Sequence, residues 1–313
     1  MSATMRQPHF AGLLGLAWLL VMLQLVAQHF GETAQTLNDT DDAMRLAQFK
    51  DWLDGQGWYD LNYARIAQGY ESHWSRLIDA GLAGTLWVFS LFTEPAMAER
   101  LMRTVWPMLW LLPTMGGAAA IAWRIAGRDA ALIALLLGVL GFHALYQFRP
   151  GRIDHHNVQI ALSMLLVAAT VWSDRAGWAA AAAGAITGLA LAIGLECLPY
   201  LVVCGAAFAL RYTLDASAAR AARDYGLALT VSSLVGFFAV VGPAHWSQGF
   251  CDAIGINWVA LAGIGGLGLA LAAQWSPPTW RARLAAVTAI CAAAVLTFLS
   301  GSSRVACAGP TRR

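Results

Sequence analysis

Long apolar runs separated by short polar breaks set the pattern of this chain. Runs over residues 10–29, 101–123, 130–148, 157–172, 177–195, 198–212, 225–241, 254–273 and 285–299 each predict a membrane-spanning helix. A helix needs about 20 apolar residues to cross a bilayer, and fewer where neighbouring helices shield it or thin the bilayer. The first run is too long for the apolar region of a signal peptide and is followed by no clear small-residue cleavage site. It therefore reads as an uncleaved first span.

A tenth run, residues 77–92, raises a question of parity, because counting it as a span moves every later loop to the other side. The arginines decide. With the run outside the count, Arg6, Arg124, Arg128, Arg175, Arg211, Arg220, Arg223, Arg281 and Arg283 all fall on the inner side. The outer side then holds Arg149 and Arg152, the tail residues Arg304, Arg312 and Arg313, and the bases of one long loop, which testify little. The run is accordingly read as an interfacial or re-entrant helix closing the first outer loop. The expected fold is an all-α, polytopic transmembrane bundle of about nine spans, N-terminus cytoplasmic. It is expected to form one domain, with a first span over 1–29, a first outer loop over 30–100, the remaining spans over 101–300 and an outer tail over 301–313.

Composition agrees. Hydrophobic residues make up 58% of the 313 and charged ones 12%, against about 25% charged in soluble domains, which excludes an ordinary cytosolic globule. The low charge and unbroken apolar runs also exclude disorder, collagen and coiled coil. A net charge of +2 is too small to point to nucleic acid. Five cysteines do not make a disulfide scaffold, and Cys197, Cys204 and Cys291 read as small buried hydrophobes.

The charge map narrows the chemistry. Of 18 acidic residues, 11 lie between Glu32 and Glu99, in the first outer loop and its closing helix. Within them Asn38-Asp39-Thr40-Asp41-Asp42 follows directly on the first span. Three carboxylates in four residues repel one another unless a cation or a hydrogen-bond network offsets them. After the third span comes Arg149-Pro150-Gly151-Arg152-Ile153-Asp154-His155-His156, where Pro150-Gly151 is a turn and Asp154 is expected to cap the fourth span. Asp154 and His156, two residues apart, can chelate one cation. Carboxylate with imidazole suits Mn, Fe or Zn, with Mg also open. The topology places both acidic motifs on the outer side.

These two motifs make the chain resemble the catalytic subunit of oligosaccharyltransferases, GT-C-type membrane glycosyltransferases that use lipid-linked sugar donors. The matches are Asp39-Thr40-Asp41-Asp42 in loop one and Asp154-His155-His156 in loop two, with the helix from Ser75-Arg76-Leu77 to Pro95 resembling the family's amphipathic helix. The resemblance implies transfer of a sugar from a polyprenyl phosphate or pyrophosphate donor to an unidentified acceptor, with a divalent cation (Mn²⁺ or Mg²⁺), on the periplasmic side of a bacterial-type inner membrane. Carried over, Asp41 or Asp42 binds the cation and orients the acceptor, Asp39 belongs to the same acidic set, and Asp154 with His156 completes coordination. The choice between Asp41 and Asp42 stays open. Where some family members carry an arginine seven residues before the second motif, this chain has Gln147, so Arg149 and Arg152 become the phosphate contacts, with His155 beside them. His73, Trp74 and Arg76 are further candidates for sugar or phosphate. Glu196 is either a cavity-facing carboxylate or a turn residue before Pro199. The family's Trp-Trp-Asp signature is absent, and the chain is expected to be a truncated product. Two other readings stay open: a related transferase using monosaccharide-phosphate lipids, and a transporter or lipid-binding protein without catalysis.

Overall fold

The computed structural model describes residues 8–34, 37 and 39–302; Arg6, Asn38 and the tail from 303 onward lie outside the described residues. Among the described residues the chain is all-helical. In order the helices are α1 (Pro8–His29), α2 (Thr40–Leu53), α3 (Arg76–Ser90), α4 (Pro95–Leu140), α5 (His156–Trp172), α6 (Ala179–Ile193), α7 (Leu198–Leu214), α8 (Ala219–Val240), α9 (Ile256–Trp275) and α10 (Trp280–Ser302). Every expected run is helical. The runs 101–123 and 130–148 lie largely in α4, which is broken at Gly127, where φ is 85° and ψ is −170°. The run 77–92 is helix α3. Three segments, His9–His29, Ile256–Trp275 and Trp280–Ser300, are long and apolar enough to cross a membrane. α5, α6 and α7 are apolar but hold only 15 to 17 residues, or about 23–26 Å of helix.

The chain divides into two compact units. The first comprises residues 1–51 and 78–168, the second residues 52–77 and 169–313. In the first unit α1 packs along α4. Val21 and Leu25 meet Met108, Leu111, Met115 and Ala119, and Phe148 joins the same core. Trp18 donates its indole N–H to the Met108 carbonyl at 2.8 Å. The opposite side of α1 leaves Leu16, Leu20 and Leu23 about half exposed, as suits a helix wetted by lipid rather than water.

In the second unit α6, α8, α9 and α10 pack in series, with α7 against α8 and α10. Small residues set the spacing. A Cβ on Gly266 of α9 would stand 2.6 Å from the Gly226 carbonyl of α8, so the two backbones approach as only glycine allows. Apolar side chains gain little by leaving lipid for protein, and close van der Waals packing of this kind holds membrane helices together instead. Aromatic and polar ties add register. Phe208 stacks on Tyr225 with centroids 4.3 Å apart, and the Tyr212 hydroxyl donates to the Ala272 carbonyl at 2.6 Å. Cys197 and Cys204 are buried as expected, but Cys291 is exposed; it lies on α10, whose apolar surface is mostly unpacked. Near helix ends Trp178 and Trp275 are open, at 69% and 82%.

Candidate functional site

The site in the first unit begins with a helix cap. Asp39 precedes α2, and its Oδ1 accepts the backbone amides of Asp41 (3.0 Å) and Asp42 (3.1 Å). That is the cap geometry of an acidic side chain at a helix N-terminus. It explains part of the acidic cluster without any ligand, since carboxylates are also favoured by the helix dipole there. The capped turn sends Asp42 into the interior, where it is fully buried.

The second motif is delivered by a defect in α4. Pro107 has no amide hydrogen, so the Arg103 carbonyl lacks its helical donor. The amide of Gly151 supplies one instead, at 2.8 Å. Gly151 can approach because it adopts φ 96°, and the Arg152 amide closes the turn onto the Arg149 carbonyl at 3.1 Å. Proline second and glycine third with positive φ form a type II turn, as the Pro-Gly pair predicts. Beyond the turn Arg152, Ile153, Asp154 and His155 are all buried. Asp154, expected as the cap of this helix, falls one residue before the cap position, since α5 begins at His156. His155 supplies the first helical carbonyl, bonded by the Gln159 amide, while Asp154 Oδ1 accepts the amide of His156 at 3.1 Å.

Asp42 joins the two motifs. Its Oδ1 accepts the amides of Ile153 (2.8 Å) and Asp154 (3.2 Å), and its Oδ2 accepts Arg152 Nη1 at 2.9 Å. Burial, and then the neighbouring charge of Asp154, push its carboxyl up to about 7 despite the Arg152 charge. Burial works hardest against Asp39, but the hydrogen bonds from Arg152 and the Asp42 amide, together with the Arg152 charge, outweigh it and hold that carboxyl below its ordinary value. Arg152 Nη1 also donates to Asp39. Nη2 donates to Asp154 Oδ2 at 2.7 Å, and both Nη2 and Nε donate to Gln147 Oε1, at 2.7 and 3.0 Å. Burial disfavours its charge, yet the three aspartates more than compensate and raise its pKa further.

Carboxylate oxygens of Asp39, Asp41 and Asp154 converge to within 4.8 Å of one another. An all-oxygen set of this kind suits a hard divalent cation such as Mg²⁺, Mn²⁺ or Ca²⁺. Two residues expected as ligands stand outside it. Asp42 turns instead to the Ile153 and Asp154 amides and Arg152, and His156 is set to one side, its Nδ1 3.8 Å from Asp154 Oδ2. That Nδ1 is buried without a hydrogen-bond partner, so the imidazole remains a donor atom beside the carboxylates. Arg149 packs its guanidinium 5.1 Å from the Tyr146 ring centroid, and its buried Nε has no hydrogen-bond partner.

A second polar network underlies the first. Arg45 of α2 and Asp79 of α3 form a fully buried pair at 3.1 Å, and Gln48 donates to the other Asp79 oxygen at 3.0 Å. Sequence reasoning missed this pair and the bridging role of Asp42. The available signal was the cap itself: Asp39-Thr40-Asp41-Asp42 ahead of a run with apolar residues at Leu46 and Phe49 is a helix-start pattern.

The remaining candidates belong to the second unit. Arg76 is buried, and its Nη2 donates to Gln56 Oε1 and to the Asp60 carbonyl, both at 2.7 Å, which makes it a strut of its loop. Trp58 and Tyr59 donate to the Ala239 and Phe238 carbonyls (2.6 and 3.0 Å) at the end of α8, satisfying carbonyls the helix leaves open. There a cavity of about 450 Å³ is lined by Tyr59, Tyr70, Trp74, Val241 and the pairs His73–Asp252 and His245–Glu71, each at 3.6 Å. Glu196 is exposed in the turn between α6 and α7. No protein family, curated protein or solved structure matches the chain.

Proposed function

We propose that the chain is a membrane glycosyltransferase of the oligosaccharyltransferase kind, a GT-C enzyme of about nine spans acting on the outer face of a bacterial-type inner membrane. The observation that carries this reading is the bonding of Asp42 to the Ile153 and Asp154 amides. Through it two acidic motifs more than a hundred residues apart are held side by side.

In the proposed reaction a bond forms between the acceptor's nucleophile and the anomeric carbon as the bond from that carbon to the phosphate oxygen breaks. The electron pair leaves with the polyprenyl phosphate, and the acceptor's proton passes to a carboxylate of the site. Asp39, Asp41 and Asp154 would hold a divalent cation, with His156 at its edge; bound there, the ion supplies positive charge where the departing phosphate gains negative charge. Asp41, at the opening of α2, accepts the hydrogen bond that orients the acceptor. Arg149 contributes the second cationic contact to the phosphate, since its Nε is uncommitted. Asp42 is the strut that fixes these groups.

The test is transfer from a lipid-linked sugar in purified membranes with Mn²⁺ or Mg²⁺. Asp154→Ala is expected to abolish transfer, and Arg149→Gln to weaken it with a raised donor KM. Transfer that survives Asp154→Ala overturns the reading.

A further inference from the structure

Arg152 was a candidate for phosphate, but its hydrogen bonds leave it nothing to offer a ligand. A guanidinium has five N–H donors and no acceptor. Nη1 serves Asp39 and Asp42, Nη2 serves Asp154 and Gln147, and Nε serves Gln147 again. All five are committed inside the protein, and the side chain is 2% exposed. Its Cζ also lies 5.0 Å from the Tyr146 ring centroid, closing a further approach.

From this we infer that Arg152 is the positioning residue of the cation site, an internal guanidinium that holds Asp39 and Asp154 so that a carboxylate oxygen of each stays within 4.8 Å of the other and of Asp41. The inference rests on the proposed cation reading and deepens it. Two carboxylates brought this close repel each other, and one comes from the cap of α2 while the other comes from the turn before α5. Arg152 satisfies one oxygen of each from a single rigid plane, and Gln147 fixes that plane from behind. A lysine in its place would keep the charge but present three donors from one point, without the fork.

The sign of the effect on cation binding separates positioning from charge. If Arg152 were only a neighbouring positive charge, its removal would strengthen the binding of a divalent cation, because like charges repel. If it positions the ligands, its removal weakens binding although the site has become more negative. Groups that orient metal ligands from outside the coordination shell typically change affinity by about 10- to 100-fold.

The experiment titrates the purified full chain with Mn²⁺ alone and follows the loss of the free-ion EPR signal, with thermal unfolding as a check on folding. Wild type is expected to bind Mn²⁺, and Asp154→Asn to lose it. Arg152→Gln is expected to bind about 10- to 100-fold more weakly, and Arg152→Lys to remain weaker than wild type. Gln147→Leu leaves every charge and every carboxylate in place, so it carries the test even if the Arg152 variants unfold; it is expected to weaken Mn²⁺ in the same direction. Arg152→Gln binding as tightly as wild type or tighter, full rescue by Arg152→Lys, or wild-type affinity in Gln147→Leu each overturns the inference while the cation site stands. Absence of binding to wild type, or wild-type binding by Asp154→Asn, overturns the cation reading itself and this inference with it.

Discussion

Asp42 offers the sharpest test of how the two acidic motifs are held together, because alanine and asparagine at this position should behave differently. Alanine removes all three accepted hydrogen bonds, leaving the Ile153 and Asp154 amides and one Arg152 N–H buried without an acceptor. Breaking a buried ionic contact from one side costs about 3–5 kcal/mol. Asparagine keeps an oxygen for the two amides and turns only its NH₂ toward Arg152, with a loss of about 1–3 kcal/mol for the unmet donor. The pH dependence is more telling. With the folded carboxyl at about 7 against an ordinary 3.8, the folded state binds a proton more tightly than the unfolded state. Stability from this source is therefore complete below pH 3.8 and is lost as pH rises toward about 7. At about 1.4 kcal/mol per unit, the three-unit window sets an upper bound of about 4 kcal/mol. Asp39 is shifted the other way, so its contribution is lost only as pH falls below 3.8, outside the window. In detergent with EDTA, tryptophan-detected unfolding should show wild type losing its advantage over Asp42→Asn between pH 4 and 7, with Asp42→Ala least stable near pH 5. Parallel pH curves for wild type and Asp42→Asn, or equal losses for Asn and Ala, would refute the reasoning.

Two further outcomes check the scaffold. Asp79→Ala strips Arg45 and Gln48 of their buried acceptor and should lower stability by about 3–5 kcal/mol; denaturant midpoints within error of wild type would contradict this. Gly266→Leu forces side-chain atoms toward the Gly226 carbonyl and should cost about 1–3 kcal/mol, whereas Gly263→Leu, which meets nothing within 4 Å, should leave the unfolding temperature unchanged.

Apolar periodicity made the helices legible, since each run needed only its own residues to form one. It could not show that, among the described residues, three segments have the length and apolarity to cross a membrane, nor that Gly127 would break α4 instead of a longer loop separating two helices. The site was legible as two motifs and not as a network. Asp41 and Asp42 are neighbours of one residue type, and only the helical spacing of Asp42 to Leu46 and Phe49 separates the exposed end of the cap from its buried turn. What that spacing does not give is the partner each meets: for Asp42, backbone amides more than a hundred positions away. Arg152 meets the same limit. An arginine between a turn and an acidic motif suits a phosphate contact equally well until its five donors are counted.

Backbone defects, more than side-chain preferences, bring the motifs together. Pro107 interrupts α4 and frees one carbonyl; that carbonyl captures Gly151, and the captured turn presents the Ile153 and Asp154 amides to Asp42. Each link needs the one before it, and none is strong alone, since a single hydrogen bond contributes only about 0.5–1.5 kcal/mol net. A buried set of carboxylates around one guanidinium is stable only when every member is satisfied. The chain therefore reaches its acidic site by removing a helix donor, filling the vacancy with a loop amide, and using the loop so held to orient charges that would otherwise repel.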